Sequence, residues 1–316
     1  MALFKTNLRH AKDDNTSKKK LIIALIAIGI ALIVTVIIMT IIFTDGNDEV
    51  NTETQFIEDE IITVEDDEII TINDPLLGEI YLDAVEGMAK STYVRDNFVL
   101  DDKGLMTYTI EGKPASCMGV DLSEFQGTVD FEKLKEQGIS FVILRIGGRY
   151  YSESGKMYTD TNFHQYYKAA TDAGLDVGGY FFSQAKNAQE AKEEADYVMD
   201  NIRGMEFKYP IAFDWELIEG DTARTENIKG EKLTDAAIAF CETISANGYK
   251  PIIYTNTHLM YYMYDLERLK DYEFWVADYE DKPSIYYYFT MWQYTKEGQL
   301  EGISGDVDLN ICLKNY

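Results

Sequence analysis

Hydrophobic positions fall into three regimes along this chain. Residues 21–43 form one unbroken apolar run with no charged side chain, relieved only by Gly29, Thr35 and Thr40. At about 1.5 Å per helical residue the run spans a hydrocarbon core of roughly 30 Å with tilt to spare. It reads as a retained transmembrane helix. A cleaved leader has a shorter apolar region followed by a small-residue site, and a buried core helix does not suit this length and these flanks. Residues 44–75 read as an extended stalk, in which acidic runs such as Glu58-Asp59-Glu60 alternate with isoleucine pairs and repel one another. Residues 76–116 predict a small pre-domain that packs on the larger domain C-terminal to it. Leu77, Ile80, Tyr81, Ala84, Val85 and Met88 have helical spacing over 76–90. A hairpin is expected over 98–110, turning at Asp101-Asp102-Lys103-Gly104.

From residue 117 the pattern changes to short apolar runs separated by helical stretches. The runs at 118–122, 141–146, 177–182, 211–215, 251–254, 274–277, 288–292 and 307–311 predict buried strands, and 131–137, 161–173, 188–202 and 232–247 predict helices. Gly138, Gly174 and Gly248 stand where a left-handed residue ends a helix. The expected fold class is α/β: an irregular (β/α) TIM-like barrel over 117–316, preceded by the membrane helix and the acidic stalk. A doubly wound open sheet is the alternative, but it usually carries a glycine-rich phosphate loop after its first strand. Asp121-Leu122-Ser123-Glu124 is nothing like one.

Charge sharpens this division. The 316 residues carry a net charge of −26, which excludes a nucleic-acid binder relying on clustered Lys and Arg. Residues 1–20 nevertheless hold six bases against two acids, and residues 44–74 hold twelve acids and no base. By the positive-inside rule the basic tail is cytoplasmic and everything after residue 43 faces outward, as in a single-pass cell-membrane protein. The membrane is thus an expected partner through residues 21–43. No D-x-D-x-D-G calcium loop is present, and His10, His164 and His258 lack second-ligand spacing, so neither metal nor cofactor is expected. Cys117, Cys241 and Cys312 are odd in number, lie far apart in sequence and form no disulfide framework, so small buried thiols are expected.

Functional groups of a β/α barrel gather at the C-terminal ends of its strands. Those ends carry Asp121, Arg145, Tyr180, Phe182, Asp214, Glu216, Tyr254, Trp275, Asp278, Trp292 and Asp308. Acids among aromatic rings suit a carbohydrate, since rings stack on pyranose faces while carboxylates move protons. Asp214 and Glu216 are two apart on a strand and share a face. Two close carboxylates in a partly dry pocket cannot both ionise easily, so one becomes a usable general acid. Two solvated acids at a strand end remain the plainer reading.

Seven segments in order sharpen the choice. Gly119-Val120-Asp121-Leu122-Ser123 with Gln126-Gly127, the run from Phe141 to Gly147, and Gly178-Gly179-Tyr180-Phe181-Phe182 resemble the opening of the family 25 glycoside hydrolases. Asp214-Trp215-Glu216, Trp275-Val276-Ala277-Asp278-Tyr279, Trp292-Gln293-Tyr294 and Val307-Asp308-Leu309-Asn310 continue that resemblance. It implies a lysozyme-type N-acetylmuramidase acting on peptidoglycan glycan strands outside a Gram-positive-type cell. Glu216 would be the general acid. Asp214 would orient the substrate acetamido group or stabilise the oxocarbenium-like state, with Asp121 and Asp308 as flanking acids. Arg145, Tyr180, Phe182, Tyr254, Trp275, Asp278 and Trp292 would contact substrate. Many members carry Tyr-His-Phe where this chain has Tyr180-Phe181-Phe182. A chitinase-like barrel would want acids at the positions of Ala212 and Tyr209, and a silent glycan-binding barrel could dispense with the four acids.

Overall fold

The computed structural model describes residues 54, 56, 61–65, 68–74, 78–218 and 220–316. The basic tail 1–20 and the apolar run 21–43 lie outside the described residues. Among the described residues no helix is long and apolar enough to cross a membrane.

The acidic stretch does not stay extended and solvated along its whole length. Val64, Ile70 and Ile72 are buried. Ile70 and Ile72 lie on one face of strand β1 (Ile69–Asp74), which pairs antiparallel with β2 (Gly78–Asp83). The helix expected over 76–90 is therefore a strand and the chain after it. Apolar side chains recur at helical spacing there, but Ile72 and Ile80 are cross-strand partners, and hairpin pairing takes precedence over that spacing. The second hairpin lies where the sequence places it, with β3 (Phe98–Leu100) against β4 (Met106–Ile110) and β5 (Lys113–Pro114) beyond. Asp101 makes the turn by accepting from the main-chain N–H groups of Lys103 (2.9 Å) and Leu105 (2.8 Å).

Eight further strands close into a barrel: β6 (Cys117–Leu122), β7 (Ile139–Arg149), β9 (Asp176–Ser183), β10 (Ile211–Trp215), β11 (Pro251–Asn256), β12 (Phe274–Ala277), β13 (Met291–Gly298) and β14 (Val307–Cys312). A short β8 (Met157–Thr159) pairs antiparallel with the end of β7. Neighbours from β6 to β13 run parallel, whereas β14 is antiparallel to both β13 and β6. This is not the regular alternation of a TIM barrel. Helices α1 (Phe131–Glu136), α2 (Phe163–Asp172), α3 (Ala188–Asn201) and α4 (Glu231–Ala246) follow the first four barrel strands. After β11 come only a turn of π-helix and a turn of 3-10 helix.

The outward faces of the last strands would lie open without the pre-domain. Phe98 meets Trp292 edge-on at 5.3 Å between ring centroids, and β4 packs on β6 and β14. Tyr93 donates to the Phe289 carbonyl (2.7 Å), and the Met106 N–H donates to the Tyr294 hydroxyl (3.2 Å). The three-stranded sheet thus covers the side of the barrel where regular α-helices run out. Inside the barrel, Phe141, Ile143, Tyr209, Ala212, Ile252 and Met291 fill the interior below the site. Gly119 is required there, since a Cβ on it would lie 2.3 Å from the Phe141 ring.

Candidate active site

Strand alternation decides which side chains of β10 reach the interior. Ile211, Phe213 and Trp215 pack outward toward the helices, while Ala212 and Asp214 point in. Asp214 is 5% exposed, and its Oδ1 is buried without a hydrogen-bond partner. Burial pushes its carboxyl well above the usual carboxylate range, and the adjacent Glu216 pushes it further.

Glu216 lies just past the end of β10, and its main chain is fixed from behind. Its carbonyl accepts from Gln184 Nε2 (3.1 Å), and Gln184 Oε1 accepts from the Thr225 hydroxyl (2.6 Å). Arg224 donates to the Gln184 carbonyl (2.7 Å) and to both carboxylate oxygens of Glu190 (2.8 Å each). A two-pronged Arg–carboxylate contact of this kind fixes orientation as well as charge.

A second pair of acids closes the opposite side. Asp121 is the penultimate residue of β6 and Asp308 the second of β14, and the two are partners in the antiparallel register. The sequence reading places Asp308 at a strand's C-terminal end. It is in fact near the N-terminal end of a reversed strand, which brings it to the same rim. Asp121 is raised well above its ordinary value by burial and by the Asp308 charge, and Asp308 is raised by burial. Asp121 Oδ2 accepts from Gln293 Nε2 (2.8 Å) and Asn310 Nδ2 (2.9 Å).

Aromatic and cationic groups complete the site. Tyr180 stands among these acids, its hydroxyl held protonated by burial and by the charge of Asp121. Tyr254 donates to Gln293 Oε1 (2.9 Å) and meets Trp275 edge-on at 4.8 Å. Phe182 is half-buried and pairs in register with Asp214. Arg145 is clamped to Asp160 (2.7 Å) and Glu124 (3.0 Å), with Phe125 packed on its guanidinium. Its positive charge still reaches Asp214.

Three expected substrate contacts are placed otherwise. Trp275 points inward but is only 2% exposed; it donates to Asn310 Oδ1 (2.9 Å) and supports the floor of the site instead of offering a ring to solvent. Asp278 accepts from the N–H (2.6 Å) and hydroxyl (2.7 Å) of Ser284 and organises its own loop. Trp292 faces out of the barrel, fully buried beneath Phe98, and donates to the Asp278 carbonyl (2.7 Å). The sequence reading ends this strand at 292, whereas β13 begins at Met291 and runs on, so Trp292 sits at its start. Its inward neighbour Gln293, with Asn310 and Tyr279, belongs to the site instead. The signal available was an amide two residues after the inward Met291, on the same face of the strand.

The model of the glycosyl hydrolases family 25 matches residues 120–303. The chain belongs to that family. Among curated relatives, the autolytic lysozyme of Clostridium acetobutylicum is 28% identical over 61% of this chain. Lysozyme M1 of Streptomyces globisporus is 26% identical over the same share. The chain spans 54% and 66% of the length of those two relatives. Among solved structures, the spore cortex lytic enzyme SleM of Clostridium perfringens superposes with a TM-score of 0.53 at 25% identity, covering 66% of this chain and 70% of that one. A family 25 glycosyl hydrolase of Bacillus anthracis has the same barrel at 23% identity, with a TM-score of 0.53, covering 63% of this chain and 89% of its own. The family match stops short of β14, which supplies Asp308 and Asn310.

Proposed function

We propose that this chain is a peptidoglycan hydrolase of muramidase type, cleaving the β-1,4 bond between N-acetylmuramic acid and N-acetylglucosamine. One observation carries the reading. Asp214 is buried with an orphaned oxygen beside Glu216 at the mouth of the barrel of a family 25 chain, and burial and the Glu216 charge raise its carboxyl. Two relatives that bear the name lysozyme support it. Glu216, the less buried of the two, gives the pair's proton to the leaving glycosidic oxygen. Asp214 is then left ionised in a dry site, where its charge faces the positive charge developing at the anomeric carbon. Tyr180, Tyr254 and Phe182 offer the rings and hydroxyls that would seat the sugar.

Glu216→Gln tests the assignment, because the amide keeps the shape and cannot donate that proton. Wall clearing should fall by roughly a thousand-fold or more, as expected for loss of an essential acid. Mass spectra of muropeptides released by the unmodified chain should show muramic acid at the new reducing ends. Reducing-end glucosamine would assign the neighbouring bond instead.

We infer further that residues 21–43 hold the enzyme in a cell membrane with the barrel outside, supported by the length of the apolar run and its basic flank. Protease applied to intact protoplasts should remove the barrel and leave a small membrane-bound remnant. Protection of the barrel would reverse the orientation.

A further inference from the structure

The seam between β6 and β14 holds one more inward-facing pair below the acids. Alternate residues of the two adjacent strands stand side by side on the inner face of the wall, giving Asp121 with Asp308, Gly119 with Asn310, and Cys117 with Cys312. Cys312 is fully buried in the interior cluster, and Cys117 packs against the same cluster half-buried. The Tyr209 ring lies beside both thiols.

Residues directly opposed on antiparallel strands have Cα atoms about 4.5–5.5 Å apart, within the range a disulfide spans. Two thiols far apart in sequence are thus brought to bonding register by barrel closure alone. The third cysteine, Cys241, is buried in α4 on the outer side of the barrel wall, facing the helix layer, and has no such partner.

We propose that Cys117 and Cys312 form a disulfide that staples the first strand of the barrel to the last. The oxidant is a small-molecule or protein disulfide of the oxidising side of a membrane. The thiolate of Cys117, the more accessible, attacks that disulfide and expels one thiol. Cys312 then gives up its proton and attacks the Cys117 sulfur, expelling the second thiol. The two protein thiols lose two electrons and two protons, and the oxidant is reduced to two thiols. Burial pushes the Cys312 thiol up, so the second attack is fastest before β14 has fully docked. The bond closes a loop containing nearly the whole barrel, the case in which a cross-link most restricts the unfolded chain.

The test uses the full chain in detergent, equilibrated across a series of oxidised to reduced glutathione and then denatured and alkylated. At the oxidising end, peptide mapping should recover one cross-linked species containing Cys117 and Cys312, with Cys241 alkylated. The melting temperature should fall by roughly 5–15 °C between the oxidising and reducing ends. Cys117→Ser, at the half-buried position, should melt at one temperature across the series. Alkylation of both Cys117 and Cys312 throughout, or a melting temperature indifferent to glutathione in the unmodified chain, would overturn the proposal. The titration needs no particular cell compartment. A chain that bonds in vitro yet is isolated reduced from cells would support the disulfide and tell against the external orientation inferred above.

Discussion

Gln293 donates from Nε2 to Asp121 at 2.8 Å, while its Oε1 accepts from the hydroxyls of Tyr254 (2.9 Å) and Tyr279 (2.8 Å). One amide therefore orients three groups of the site. The near-isosteric Gln293→Glu would set a third carboxylate against Asp121 and Asp308. Wall-clearing rate at neutral pH should fall roughly ten- to hundred-fold, and part of the loss should return at acid pH, where the new carboxyl is protonated and again donates. A pH–rate profile identical to that of the unmodified chain would remove Gln293 from the site.

Asp214 carries a stability consequence. Its folded value is raised, so the folded state holds a proton that the unfolded chain releases in the ordinary carboxylate range. The contribution is fully present at low pH and is lost as pH rises toward the folded value. Asp214→Asn should therefore melt higher than the unmodified chain at neutral and alkaline pH, with the difference shrinking in acid. Activity should fall by roughly a hundred-fold or more, the pattern of a group kept for chemistry at some cost in stability. Thermal melts from pH 4 to 9 give the sign directly.

Glu194 offers a separate pH handle outside the site. It is fully buried between Arg149 (2.6 Å) and the Ser183 hydroxyl (2.5 Å), and burial raises it to about 7. Because the folded value lies above the unfolded one, its share of stability is present below the ordinary glutamate range and disappears as pH climbs through about 7. Glu194→Gln should flatten the melting profile between those limits. An unchanged slope would mean that Arg149 keeps Glu194 ionised throughout.

The pre-domain is expected to be structural. Phe98 is 1% exposed and fills the space between Trp292 and Tyr108. Phe98→Ala should cost about 3–5 kcal/mol, as for other buried aromatic truncations, and lower the melting temperature by roughly 10 °C. A fragment beginning at residue 117 uncovers the same surface and should expose Trp292 to solvent quenchers. A fragment with the melting temperature of the longer chain would show that the covering sheet contributes nothing.

Much of the barrel was legible because its strands are buried on both faces and read as apolar runs bounded by turn residues. The pair Asp214 and Glu216 was legible because alternation fixes the face once the strand is found. Legibility failed where pairing, not periodicity, sets the structure. Residues 76–90 satisfy a helical spacing, yet Ile80 finds Ile72 across a hairpin. Trp292 sits at the start of β13 and not at a strand end, because no turn residue between Tyr288 and Met291 marks where the strand begins. Asp308 lies in register with Asp121, although sequence alone does not show that its strand runs backward. The same reversal hid the Cys117–Cys312 register.

That reversed strand also bears on the order of events during synthesis. Asp121 is among the first barrel residues made, and its partner Asp308 is among the last. An emerging chain can fold its first parallel strands and still lack half of this acid pair, together with Asn310, which helps hold Asp121. The site assembles only when residues 307–312 thread between β6 and β13. A barrel built this way cannot assemble this acid pair until its last strand has been made.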